Sequence, residues 1–164
     1  MRTHGVWTAL GYDWLYDSLS PTERSEARTR FRQWIAFHQK ADTYQRAQPG
    51  ANYHAGHVLA MTLIAVTAGD ELTNGAATWT YVADTMWGGV MNAGSSEELA
   101  GGDWLEGWQY APLSWLSYSL GARAMLAQGD EDNVYLEPSA MPLCAVILGP
   151  LAAELRGRQR RKAT

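Results

Sequence analysis

The sequence predicts an all-α fold of about six helices, arranged as antiparallel helical hairpins. Apolar residues recur at three- and four-residue spacing in most segments, which places them on one face of a helix. No segment alternates apolar and polar residues over the roughly four to eight positions that a strand needs, and β-branched residues never cluster for long. Short connections between successive helices favour antiparallel neighbours.

The first two helices are expected over residues 4–18 and 21–45. Ser20, Pro21 and Glu23 form a start signal for the second helix: an N-cap serine, a proline at the first helical position, and a glutamate that closes a capping box. The apolar face of this helix carries five residues at helical spacing, Ala27, Phe31, Trp34, Ile35 and His38. The last of these, a histidine, is interpreted as a packed or boundary residue.

The third and fourth helices are expected over residues 53–68 and 74–92. The third follows the loop "AQPGA", with Asn52 as its N-cap, and it ends at Gly69. The fourth leads into the longest irregular stretch of the chain, residues 92–107, which is rich in Gly and Ser.

The last two helices are expected over residues 109–127 and 139–157. Pro142 lies near the start of the sixth helix, and Pro150 is expected to bend or break it.

The charge of the chain is uneven, and it argues against nucleic acid as a partner. The net charge is −4, but five of the 13 basic residues lie in residues 156–162, so that residues 1–155 hold 8 basic against 17 acidic residues. Such a body does not attract a phosphate backbone. We therefore divide the chain into a helical domain, residues 1–155, and a basic, disordered tail, residues 156–164.

Membrane spans and internal disulfides are not expected. No segment reaches the roughly 18 uninterrupted apolar residues of a span. Tyr12, Asp13 and Asp17 interrupt what would be the hydrophobic region of a signal peptide. Cys144 is the single cysteine. Read as it stands, the chain is expected to be cytoplasmic; as a fragment of a longer protein it would be periplasmic or secreted.

The first candidate site is a polar cluster at the start of the third helix. Asn52, His54 and His57 lie where unpaired backbone N–H groups and the helix dipole attract anions such as a carboxylate. The alternative is that Asn52 caps the helix and both histidines are partly exposed first-turn residues. A zinc site through the histidines would need further ligands, for which Asp103 and Glu106 are the only candidates, so no metal is expected.

The second candidate site is the segment "GGDWLEGWQYAPLSW", residues 101–115. Tryptophan faces suit sugar rings, and carboxylates or phenols suit ring hydroxyls. The alternative is that Trp104 and Trp108 pack the loop onto the core. A third set of residues is acidic, and nothing in the sequence places any two of them across a cleft, as a glycosidase would need. This third set is Asp13, Asp17, Glu97 and Glu98.

These motifs together resemble a known family. "GYDWLYDSLSPTER", the Asn-Tyr-His that opens an apolar helix ending in "AGD", and "GGDWLEGWQYAPLSW" are similar, in this order, to the helical toroid domain of heparinase II/III-like and alginate-lyase polysaccharide lyases. The resemblance covers about residues 5–125. It implies that residues 1–155 are part of an (α/α) toroid, and that the reaction is β-elimination of a uronate-containing polysaccharide without a cofactor.

The resemblance also implies roles for individual residues. Asn52 and His54 would bind the sugar carboxylate, and Tyr110 would transfer the proton, with His54 sharing the base role. A phenol with a pKa of about 10 needs cationic or hydrogen-bonding neighbours for this task. A neutralised carboxylate makes the proton at C5 of the sugar more acidic. The expected substrate-binding residues are Tyr53, His57, Asp103, Trp104, Glu106 and Trp108.

Two other functions remain open at this point. One is a glycoside hydrolase on a similar toroid, with Asp103 or Glu106 among its carboxylates. The other is a non-catalytic carbohydrate-binding or interaction module, in which Trp104, Trp108 and Tyr110 stack on sugars or on a partner. The expected partner is an acidic polysaccharide or oligosaccharide. The resemblance implies that half a toroid leaves an apolar flank uncovered, so self-association is also expected. Because the family's toroid is usually followed by a β-sandwich domain, a missing C-terminal domain is expected as the alternative.

Overall fold

The computed structural model describes residues 2–91, 104–107 and 109–128. Within these residues the structure is helical and contains no strand, which confirms the predicted all-α class. The helices are α1 (His4–Trp14), α2 (Pro21–His38), α3 (Asn52–Ala68), α4 (Gly75–Thr80) and α5 (Ala111–Ala127). A π-helical segment, Tyr81–Met91, continues α4, and short 3-10 turns lie at Tyr16–Ser18 and Gly69–Glu71.

α2 begins as the sequence predicts. The Ser20 hydroxyl accepts a hydrogen bond from the backbone N–H of Glu23 at 3.3 Å, and the Glu23 carboxylate accepts one from the backbone N–H of Ser20 at 2.8 Å. Pro21 is the first residue of the helix. The capping box is therefore confirmed.

α2 ends at His38, so the expected extension to residue 45 is wrong. The hydroxyl of Thr43 donates to the carbonyl of Phe37 at 2.8 Å, and the Arg46 guanidinium donates to the carbonyl of Gln39 at 3.2 Å. The last carbonyl groups of a helix have no partner within the helix. Here side chains of the following loop bind two of these carbonyl groups, so the chain can leave the helix after His38 without leaving them unpaired.

α1 and α2 form an antiparallel hairpin. The Tyr12 ring lies edge-on to Phe31, with ring centroids 5.5 Å apart, and nearer the connection the Arg24 guanidinium lies over the Tyr16 ring. α2 is also antiparallel to α3, because Arg28 forms a salt bridge of 2.6 Å with Glu71 just beyond α3, while His38 meets His57 at the other end.

α3 is the centre of the fold and packs against both α1 and α5. Arg2 precedes α1 and contacts Asn52 at the start of α3, whereas Tyr12 donates to Glu71 beyond the end of α3. α1 and α3 therefore run in the same direction. Glu106 precedes α5 and also contacts Asn52, so the N-terminal ends of α1, α3 and α5 lie together.

The fourth expected helix, residues 74–92, is only partly α-helical. It changes to a π-helical turn at Tyr81. In this geometry Tyr81 reaches His38, and the Trp87 indole donates to the Thr62 hydroxyl at 3.0 Å. These two contacts hold the segment against α2 and α3. π-Helical turns of this kind are rare within helices.

The expected helix 139–157, the basic tail 156–164 and Cys144 lie outside the described residues. The toroid that the resemblance implies stays a prediction. No helix in the described part of the chain has the length and apolar composition that a membrane crossing requires.

Candidate functional site

The candidate site lies where the N-terminal ends of α1, α3 and α5 meet. Asn52 is the first residue of α3, and its neighbour Ala51 holds the N-cap position. The Asn52 Oδ1 atom accepts a hydrogen bond from Arg2, and its Nδ2 donates to Glu106 Oε2 at 2.7 Å. The prediction that Asn52 caps α3 is therefore wrong, because its side chain joins two other segments of the chain.

Glu106 places a carboxylate at the N-terminal end of α3. Its Oε2 atom accepts from both the backbone N–H of Asn52, at 2.6 Å, and the side-chain amide of Asn52. Free N–H groups and the positive end of the dipole stabilise an anion at this position. The sequence predicts that this helix start binds a carboxylate. In the structure that carboxylate is the side chain of Glu106.

Arg2 and Tyr53 form the outer part of the site. The guanidinium carbon of Arg2 lies 3.9 Å from the centroid of the Tyr53 ring, and this ring is 40% exposed. The Tyr44 ring stands edge-on to Tyr53 at 5.3 Å and 89°. Within the described residues Arg2 forms no ion pair.

His54 lies beneath this surface and is 0% exposed. Its ring centroid is 6.4 Å from that of Tyr118, whose hydroxyl donates to the carbonyl of Pro49 at 2.7 Å. Burial lowers the pKa of His54 to about 4. The side chain is therefore uncharged near neutral pH and does not reach the surface in this arrangement.

His57 and His38 form a second buried contact, with ring centroids 5.1 Å apart and planes at 83°. Burial is the main cause that lowers the pKa of His57 to about 4 and that of His38 to about 3. The Nδ1 atom of His38 lies 3.3 Å from the Tyr81 hydroxyl. The expectation that His54 and His57 are partly exposed first-turn residues is wrong, because neighbouring segments cover this turn of α3.

Tyr110 immediately precedes α5, and its side chain is 44% exposed. Its backbone N–H donates to the carbonyl of Gly107 at 3.3 Å, which places it one turn beyond Glu106. No hydrogen bond or ring contact joins Tyr110 to His54 in the described structure.

Trp104 is 6% exposed and turns its ring towards the core. Its centroid lies 6.1 Å from that of Trp115 and 6.5 Å from that of Tyr118. The ring thus anchors the loop before α5. Two further predicted binding residues, Asp103 and Trp108, lie outside the described residues.

Two residues at this site, Arg2 and Tyr44, were not found from the sequence. Arg2 contacts Asn52 across 50 positions, so no local pattern connects them. The sequence did contain a signal for Tyr44, because an aromatic residue within a polar loop indicates a binding surface. In the structure Tyr44 is 65% exposed.

In the described ranges, no three His, Cys, Asp or Glu side chains come together so that they could hold a metal ion. Comparisons of the chain with protein-family models, with curated proteins and with solved structures found no match. The resemblance to polysaccharide lyases stays a prediction, and the function has to be inferred from the residues themselves.

Proposed function

We propose that the chain is the helical domain of a lyase, part of an (α/α) toroid, that cleaves a uronate-containing polysaccharide by β-elimination. The observation that carries this proposal is the meeting of three helix N-terminal ends at the contacts between Arg2, Asn52 and Glu106. An acidic polymer is the substrate class that such a site attracts.

The electrostatics of this end support an anionic ligand. Three helices direct the positive ends of their dipoles to one place, and Arg2 adds a full charge there. Residues 1–155 hold 8 basic against 17 acidic residues, so Arg2 is one of the few cations in the domain that can attract an acidic polymer. With Glu106 displaced by the substrate, the helix dipoles and Arg2 would attract an acidic polymer.

The reaction requires a neutralised carboxylate, a base for the proton at C5, and a proton for the departing O4. Its electron pair moves from the C5–H bond into a C4–C5 double bond, and the C4–O4 bond breaks. Asn52 would bind the carboxylate of the reacting sugar in place of Glu106, and Tyr110 would move the proton from C5 to O4. His54, which lies beneath Asn52 in the first turn of α3, would act as a positioning residue.

A second candidate function is a carbohydrate-binding module without turnover. The complete burial of His54 favours it, because a base or a direct carboxylate ligand has to reach the substrate. The exposed rings of Tyr44, Tyr53 and Tyr110 remain available to stack on sugars.

The test is the absorbance of the unsaturated uronate product with alginate, heparan and hyaluronan as substrates. Tyr110→Phe should lower kcat by at least about 100-fold, because it removes the proton-transfer group. Tyr16→Phe is the matched control, since Tyr16 lies beyond the far end of α1 and its ring contacts survive the change. Unchanged activity in Tyr110→Phe would exclude the role of Tyr110. If the chain bound the polymers but formed no product, the carbohydrate-binding module would remain as the function.

A further inference from the structure

The loop between α2 and α3 presents Tyr44 between two residues with defined local contacts or backbone. The hydroxyl of Thr43 donates to the carbonyl of Phe37 at 2.8 Å, which closes the loop onto the end of α2. Gln45 has a φ of +52°, in the left-handed region that non-glycine residues seldom adopt. Tyr44 lies between these two residues, and its ring contacts Tyr53. Tyr44 is nevertheless 65% exposed, so its ring is presented to solvent.

Tyr44 and Tyr53 make a corner of two aromatic rings. Their planes are perpendicular, with centroids 5.3 Å apart, so the edge of one ring meets the face of the other. Tyr53 belongs to the first turn of α3, which is buried in the domain, and therefore gives the corner a rigid base. Neither tyrosine hydroxyl makes a hydrogen bond within the described residues.

Arg2 adds a cation to this corner. Its guanidinium lies over the Tyr53 ring at 3.9 Å, and the Nη1 atom donates to Asn52. A guanidinium has five N–H donors in one plane, so further donors remain for a ligand. The guanidinium is held by an aromatic face and an amide, and in the described part of the chain it forms no salt bridge, since the neighbouring Glu106 carboxylate binds the Asn52 amide instead.

We propose that Arg2, Tyr44 and Tyr53 form a binding subsite for a sugar ring that carries an oxyanion, either a carboxylate or a sulfate ester. The ring of Tyr44 packs on the C–H face of the sugar, and the Arg2 fork binds two oxygens of the anion. The inference rests on the proposed function, because the subsite adjoins Asn52. What it adds is that Tyr44 and Arg2 bind a sugar unit other than the one that reacts.

The test is calorimetric binding to the full chain carrying Tyr110→Phe, which suppresses turnover. Three ligands of equal length are compared: an oligouronate, a sulfated oligosaccharide without carboxylates, and an uncharged oligosaccharide. Tighter binding of the first or of the second identifies the anion as a carboxylate or a sulfate. We expect the better acidic ligand to bind about tenfold more tightly than the uncharged one.

Substitutions separate the two contributions. Arg2→Gln should remove the preference for the acidic ligand and leave binding of the uncharged ligand unchanged. Tyr44→Ala should weaken binding of all ligands by about tenfold, whereas Tyr44→Phe should bind as the parent does. The controls are Arg30→Gln, an exposed arginine on α2 that contacts Gln33, and Phe37→Ala, an exposed aromatic residue at the end of α2.

An acid preference that survives Arg2→Gln, together with unchanged affinities in Tyr44→Ala, would overturn the subsite. Because Tyr44 is exposed, its replacement tests the proposal even where Arg2→Gln disturbs the fold. Elimination activity together with affinities that ignore Tyr44 and Arg2 would overturn the subsite and keep the lyase. Binding that depends on both residues, in a chain without elimination activity, would keep the subsite and remove the lyase.

Discussion

Acidification from about pH 7 to about pH 5 should destabilise the fold, because His38, His54 and His57 are buried in their neutral form. Their pKa values in the folded chain are about 3, about 4 and about 4, whereas a histidine in an unfolded chain titrates near 6.5. Below that pH the unfolded chain binds more protons than the folded chain, so the free energy of unfolding falls as pH falls. Stability is complete above about pH 6.5 and is lost towards about pH 4.

The magnitude follows from the interval between the two pKa values. Each histidine lowers the free energy of unfolding by about 1.4 kcal/mol per pH unit in this interval. At pH 5 the loss is about 2 kcal/mol for one histidine and about 6 kcal/mol for three that act independently. A domain is stable by about 5–15 kcal/mol in total, so the loss removes a large part of the stability.

The measurement is urea denaturation followed by circular dichroism at pH 7, 6 and 5. His57→Gln removes one of the three titrating groups, so the slope of unfolding free energy against pH should decrease by about one third. Comparing slopes separates titration from any fixed loss caused by the substitution. Stability that stays flat from pH 7 to 5, or a parent-like slope in His57→Gln, would refute the reasoning.

Two further predictions concern packing and capping. Gly121→Ala should lower the free energy of unfolding by about 1–3 kcal/mol, because the added Cβ would lie 2.8 Å from the buried Trp87 ring; thermal unfolding measures this, and Gly11→Ala, with nothing within 4 Å, should not be destabilised. Ser20→Ala should cost about 1 kcal/mol by removing the capping box, whereas Ser18→Ala, just outside that box, should cost less, and equal losses would contradict the capping role.

The helices could be predicted where local chemistry determines them. Ser20, Pro21 and Glu23 act within one turn, so residues that are close in sequence determine the start of α2. The end of α2 depends on the Thr43 hydroxyl, which binds the carbonyl of Phe37. The spacing of apolar residues gives no information about that bond. The π-helical turn after Thr80 likewise follows from contacts with other helices.

The candidate site was predictable in its location and not in its contacts. The sequence indicates an anion-binding helix start at Asn52, and the structure has a carboxylate there. That carboxylate comes from Glu106, 54 positions away, and helix capping rules cannot connect the two residues. The burial of His54 could have been anticipated, because α3 is apolar on nearly all sides, which is typical of a helix enclosed by neighbours.

The enclosed position of α3 has a consequence for the order in which the chain can fold during synthesis. One side of α3 is covered by α1, which is made before it, and another by α5, which is completed at Ala127. At a synthesis rate of about 5–20 residues per second, the second cover arrives roughly 3–12 s after Ala68 has been added. During that interval an apolar helix stands half covered, so the nascent chain offers a binding surface to chaperones that the finished domain no longer has.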